Sequence, residues 1–74
     1  MFEKVKEILE EYTENNIVPE STLAADLELD SFSIVSIITE FEDGFDIRIS
    51  DREISQLVTV KDIVDYLTKR VEEV

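Results

Sequence analysis

Cysteine and histidine are both missing from the sequence, and glycine and proline each occur once. Without cysteine no disulfide can reinforce a small core, and no thiolate can bind a metal or attack a substrate. Without histidine the chain lacks the usual general base at neutral pH and the commonest metal ligand. A Ser-His-Asp or Cys-His constellation cannot be assembled from these residues alone, so neither catalytic nor metal-binding residues are expected. Basic residues are scarce: 7 stand against 19 acidic ones, for a formal charge of −12 over 74 residues. A field of that sign repels phosphate backbones, which argues against nucleic acid as a partner. It attracts basic protein surfaces instead. No apolar run approaches the roughly 20 residues of a membrane-spanning helix, and the segment from Met1 to Glu7 has no apolar signal-peptide centre. A cytoplasmic chain that does not insert into a membrane is expected.

The hydrophobic fraction, 43%, is too high for a disordered acidic chain. Apolar residues recur at helical spacing in four segments, which predicts one all-α domain over residues 1–74, a small four-helix bundle with three main helices and one short one. The first helix is expected from Phe2 to about Glu14, with Phe2, Val5, Ile8, Leu9 and Tyr12 on one stripe and Asn15 and Asn16 as stop signals. A long connection follows to Asp30, interrupted by Pro19 and pinned across the helices by Leu23, Ala25, Leu27 and Leu29. The second helix should run from Ser31 to near Gly44. Ser50 and Glu53 have capping-box spacing and open a single turn that tucks in Ile54 and Leu57. The last helix is expected from Val60 to about Glu73, capped by Thr59 with Asp62 three residues on, and striped by Val60, Ile63, Val64, Leu67 and Val71 with Tyr66 at the edge. No long apolar face remains once the bundle closes, so a monomer is expected.

The second helix is the most informative segment. Turning each residue by 100° places Ile34, Ile37, Ile38, Phe41 and Phe45 on one side, Val35 at its margin, and Phe32, Ser36, Thr39, Glu40 and Asp43 opposite. Phe32 is then a large aromatic residue on the polar face, in the first turn. Either the preceding loop folds over it or it anchors a partner, as aromatics ringed by polar residues do. Asp30 and Ser31 are both good cap residues, and a serine cap contributes about 0.5–2 kcal/mol. A helix N-terminus also suits a phosphate ester, because it offers unpaired N–H groups and a partial positive charge.

The stretch from Asp26 to Asp46 resembles the acyl carrier protein family. Asp30-Ser31-Phe32 opens a helix, and Phe41, Glu42, Asp43, Phe45, Asp46 and Ile49 follow at the family's spacing; Thr59 to Leu67 is similar to the family's last helix. The resemblance covers nearly the whole chain. It implies a four-helix bundle in which a phosphopantetheinyl transferase moves 4′-phosphopantetheine from coenzyme A onto Ser31. The arm's thiol would carry acyl groups as thioesters, supplying the sulfur that the polypeptide lacks. It further implies that Asp30 serves the transferase reaction and its metal, that Phe32, Ser36 and Thr39 lie on the surface partners contact, and that Glu42 and Asp43 face basic docking patches on acyl-transferring or ligating enzymes.

Several positions depart from the family pattern. Glu28 stands two before the Asp, where glycine is usual; Ser33 and Ser36 stand where acids are common; Thr39 replaces an apolar contact; Gly44 replaces an acid. The arm site is intact and the docking surface altered, which suggests a specialised, free-standing carrier for fatty-acid, polyketide or related biosynthesis. A D-alanyl or aminoacyl carrier is the alternative, since Phe after the serine also occurs there, and a non-carrier helical adaptor using the Phe32 face is the second. Asp26, Glu28 and Asp30 have the spacing that opens a calcium-binding loop. The sixth position is Ser31 rather than glycine and the twelfth is Ile37 rather than glutamate, so that chemistry fails.

Overall fold

Amphipathic spacing, with side-chain caps at the starts of all but the first, produces four α-helices in the computed structural model, which describes residues 1–72. They are α1 (Phe2–Leu9), α2 (Ser31–Phe45), α3 (Asp51–Ile54) and α4 (Val60–Glu72). The last of these reaches the end of the described residues, and the expectation that it extends to Glu73 lies outside them. α1 packs on both α2 and α4. One buried cluster fills the space between the helices: Val5 and Leu9 from α1, Ile37, Ile38 and Phe41 from α2, and Val60, Ile63 and Leu67 from α4. Ile54 and Leu57 pack against it half-buried, as the sequence implied, while Val71 at the end of the α4 stripe is exposed.

The long connection from 15 to 30 is ordered by the same core. Ile17, Leu23, Leu27 and Leu29 are buried in it, whereas Ala25 is exposed and pins nothing. Polar contacts fix the loop's path. The Thr22 N–H donates to the Asp26 carboxylate (2.9 Å) and the Asp26 N–H to the Thr22 hydroxyl (3.0 Å). An isolated antiparallel bridge between Thr22 and Thr59 then ties this loop to the start of α4, with the Leu23 N–H on the Val58 carbonyl and the Val60 N–H on the Ser21 carbonyl, both at 2.9 Å.

The first helix is shorter than its stripe predicts. Regular α-helix ends at Leu9, and the chain continues in a tighter turn, with the Glu11 and Tyr12 N–H groups bonding three residues back. The cause lies far away in sequence. Thr13 donates its hydroxyl to the Leu27 carbonyl (3.1 Å) while accepting from the Asn15 N–H, and Asn15 reaches the Asp26 carbonyl and the Glu28 carboxylate at 3.0 Å each. These contacts draw the chain out of the helical path before Glu14.

The other termini follow their capping chemistry. Ser50 and Glu53 make the reciprocal box at α3. Glu53 also accepts from the Tyr66 hydroxyl (2.8 Å), clamping α3 to α4. Thr59 and Asp62 repeat the box at α4, the Thr59 N–H donating to Asp62 (3.0 Å) and the Asp62 N–H to the Thr59 hydroxyl (3.1 Å). α2 ends on Asp46, held left-handed at φ 55°.

These caps give stability a definite dependence on pH. Hydrogen bonds from the Thr59 and then the Val58 backbone hold the Asp62 carboxyl below its ordinary value of 3.8; the Ser50 backbone does the same for Glu53. A carboxyl depressed on folding contributes stability above its unfolded pKa and loses it as pH falls through the folded one. Asp62→Asn keeps the acceptor shape and removes the charge. Wild type should therefore exceed this variant in urea midpoint at neutral pH, and the gap should close as pH drops below about 3.8. A gap that widened on acidification would contradict this assignment.

Candidate functional site

Asp30 and the turn after it set the geometry of the site. Leu29 is buried immediately before the helix, and Ile34, half-buried, follows at the position that pairs with it in a hydrophobic staple. These two fix how the chain enters α2. Asp30 then adopts extended backbone (φ −89°, ψ 174°), and its Oδ1 accepts from the Ser33 N–H at 2.7 Å. That bond, followed by one from the Ser33 hydroxyl, holds the Asp30 carboxyl below its ordinary value, so it is ionised at neutral pH.

Asp30, and not Ser31, is thus the cap. Ser31 is the first helical residue, exposed, and its hydroxyl makes no hydrogen bond among the described residues. The reading of Ser31 as a possible cap is corrected by this arrangement. Asp30 already satisfies the Ser33 donor, and the Ser31 side chain is left free in solvent. The N–H groups of Ser31 and Phe32 have no intrahelical partner by their position, and they sit at the positive end of a fifteen-residue helix. An exposed hydroxyl beside such donors suits a phosphodiester. The residues present therefore fit a 4′-phosphopantetheine arm.

Glu28 occupies the position where the sequence departs from glycine, and the structure gives the physical reason for the usual residue. Its φ is 54°, in the left-handed region that glycine enters without a Cβ penalty. The bond from Asn15 Nδ2 to Glu28 Oε2 offsets part of that cost. The strained turn lies two residues before the cap and directs the chain into α2.

Phe32 is 81% exposed, so the preceding loop does not fold over it. Val35 is 57% exposed, further from the core than a margin position suggests. Thr39 is exposed with its hydroxyl bonded to the Val35 carbonyl (3.0 Å), and Ser36 is half-buried. Asp43 is exposed near the far end of α2. Glu42 is placed differently: its Oε2 accepts from the Ile49 N–H at 2.8 Å, fastening the segment after α2 to the helix. Glu40, expected on the outer face, has its Oε2 buried and unpartnered among the described residues. Phe32, Ser36, Thr39 and Asp43 thus share the helix that bears Ser31, while Glu42 has an internal role that side-chain spacing alone does not reveal.

An open apolar groove of about 400 Å³ lies beside this helix, bordered by Leu23, Ala24 and Ala25 of the loop, Ile34 of α2, and Leu57 and Val58 before α4. Among the described residues no group of acidic side chains is arranged to hold a metal ion, and no helix is long and apolar enough to cross a membrane.

Comparison with known proteins gives a consistent result. The profile of the phosphopantetheine attachment site family matches residues 3–67. An acyl carrier protein of Desulforapulum autotrophicum is 35% identical over 71 residues, covering 90% of this chain and 92% of that protein. The meromycolate extension acyl carrier protein of Mycobacterium leprae is 39% identical over 72 residues, and the chain spans 63% of its length. The crystal structure of an acyl carrier protein from Thermotoga maritima superposes with a TM-score of 0.81 at 35% identity, covering 96% of this chain and 86% of that one.

Proposed function

The chain belongs to the acyl carrier protein family, and we propose that Ser31 is the residue on which its 4′-phosphopantetheine arm is attached. The protein is a carrier of acyl groups on that arm, whose thiol supplies the thioester chemistry when the arm is present. The observation that supports Ser31 is its placement: an exposed, unbonded hydroxyl at the first position of α2, beside a cap that another residue provides. Asp30 stays ionised next to it, where the transferase and its metal would meet the chain. Phe32, Ser36, Thr39 and Asp43 form the face presented to partner enzymes, while Glu42 fastens the segment after α2 through Ile49. The apolar groove bordered by Ile34, Leu57 and Val58 offers surface for an acyl cargo.

In this reading the chain is one carrier domain over residues 1–74, monomeric and cytoplasmic. It presents intermediates of fatty-acid, polyketide or related biosynthesis to enzymes and catalyses nothing itself. Its partners are a phosphopantetheinyl transferase and acyl-transferring or ligating enzymes. Incubation with coenzyme A and a broad-specificity phosphopantetheinyl transferase should convert the chain to a single heavier species in intact-mass measurement. Peptide mapping should place the added arm on Ser31. A chain that keeps its unmodified mass under conditions that load another acyl carrier protein would overturn the assignment.

A further inference from the structure

The turn that leads into α2 is gripped by residues that follow α1. Glu28 precedes Ser31 by three residues and sits left-handed at φ 54°, a conformation that costs free energy for any residue with a Cβ. Residues 13–15 hold this turn from across the chain. The Thr13 hydroxyl donates to the Leu27 carbonyl (3.1 Å), and Asn15 Nδ2 donates to both the Asp26 carbonyl and the Glu28 carboxylate at 3.0 Å. The Asn15 N–H closes the clasp on the Thr13 hydroxyl (3.1 Å). Leu27 and Leu29, on either side of Glu28, are buried. Each of the alternating acids ahead of Ser31 is answered by an N–H: Asp26 by that of Thr22, Glu28 by the Asn15 amide, and Asp30 by that of Ser33. The Thr22 and Ser33 donors lie four and three residues from their acids, whereas Asn15 lies 13 from Glu28.

Resting on Ser31 as the attachment residue, we propose that Asn15 is a positioning residue for arm attachment: its amide keeps Glu28 left-handed and so holds the cap and the Ser31 hydroxyl where a transferase can use them. The route is short. The Glu28 backbone sets the direction of Leu29, whose burial, with Ile34 beyond the cap, fixes the chain's entry into α2. Asp30 comes next, and its extended backbone lets the carboxylate reach the Ser33 N–H at 2.7 Å. Glycine at position 28 would take up this turn unaided; glutamate relies on the clasp. With the Asn15 amide removed, Glu28 relaxes toward negative φ in a share of the molecules. The cap bond opens in that share, and Ser31 loses its place at the helix tip. Asn15 is itself exposed, so its truncation leaves the buried cluster intact.

A double-mutant cycle tests this. Loading by a broad-specificity phosphopantetheinyl transferase is measured as separate kcat and KM values for wild type, Asn15→Ala, Glu28→Gly and the double variant, below the thermal midpoint of each. Only chains with the turn in place are used by the enzyme, so the apparent KM for the chain scales inversely with their fraction while kcat is unchanged. Asn15→Ala should raise KM about fivefold, the effect of one or two hydrogen bonds, and should speed hydrogen exchange at the Ser33 amide. Added to Glu28→Gly, the same substitution should change KM by less than about twofold, because glycine needs no clasp. An Asn15 that only stabilised the fold would lower the midpoint and leave KM and the Ser33 amide as they were, and that result overturns the proposal. So does an equal rise in KM in both backgrounds, which would mean that Asn15 acts on loading without Glu28. An Asn15→Ala chain that does not fold also overturns it, since the proposed effect is confined to the turn. If wild type itself takes no arm, the attachment assignment has failed; exchange at the Ser33 amide still reports whether Asn15 holds the turn, which keeps the two results apart.

Discussion

Ser31→Ala is expected to abolish arm attachment completely while leaving the thermal midpoint where it was or slightly higher. The transferase esterifies a hydroxyl, and the neighbouring serines are poor substitutes: Ser33 and Ser36 are half-buried within the helix, whereas Ser31 is exposed at its tip. Stability should hold because Asp30 supplies the cap through its 2.7 Å bond to the Ser33 N–H. Alanine at the first helical position gives up no hydrogen bond and has the better helix propensity. Asp30→Ala provides the complementary experiment. It removes the cap and should lower the midpoint, an outcome that a serine-capped helix would not give. Intact mass and circular dichroism on the two variants separate the two roles. Arm attachment to Ser31→Ala would move the site elsewhere, and a clear drop in its midpoint would return the cap to Ser31.

That pairing shows where sequence patterns are sufficient and where they stop. The boxes at Ser50–Glu53 and Thr59–Asp62 involve partners three residues apart, so spacing reveals them and the structure forms them. The stripes of α2 and α4 were legible for the same reason: periodicity alone places Ile37, Ile38, Phe41, Val60, Ile63 and Leu67 in the core. The early end of α1 was not legible, because the contacts that end it run from Thr13 and Asn15 to Leu27 and Asp26, across 14 and 11 residues. The expectation that Glu42 is a docking acid comes from its match to an acidic position of the family, which carries no information about internal bonds. Glu42's bond to Ile49 depends on how the chain turns after the left-handed Asp46. At the candidate site, the residues were legible and one role was not. Asp30 and Ser31 are equally good caps by type, and only the backbone angles decide between them.

The same helix links the site to the core, and that link predicts the largest change in stability. Phe41 is fully buried, the largest such side chain, and its ring lies 6.4 Å from that of Phe45. Truncation to alanine removes the transfer free energy of the ring and leaves a cavity that the surrounding helices fill only in part, at a cost of about 3–5 kcal/mol. A chain of 74 residues has a total stability of roughly 4–11 kcal/mol at the usual value per residue. Phe41→Ala should therefore consume a large share of it, lowering the thermal midpoint by roughly 12 °C or more. α2 carries Phe41 on one face and begins with Ser31, so loss of the core contact should also cost loading wherever the variant is partly unfolded. Denaturant titration of Phe41→Ala, followed by the loading assay at a temperature below its midpoint, checks both statements. A midpoint within a few degrees of wild type would mean that α2 is not held by this core. A folded variant that loads at the wild-type rate below its midpoint, and fails above it, would show that the helix presents Ser31 only as long as Phe41's neighbours keep it in place.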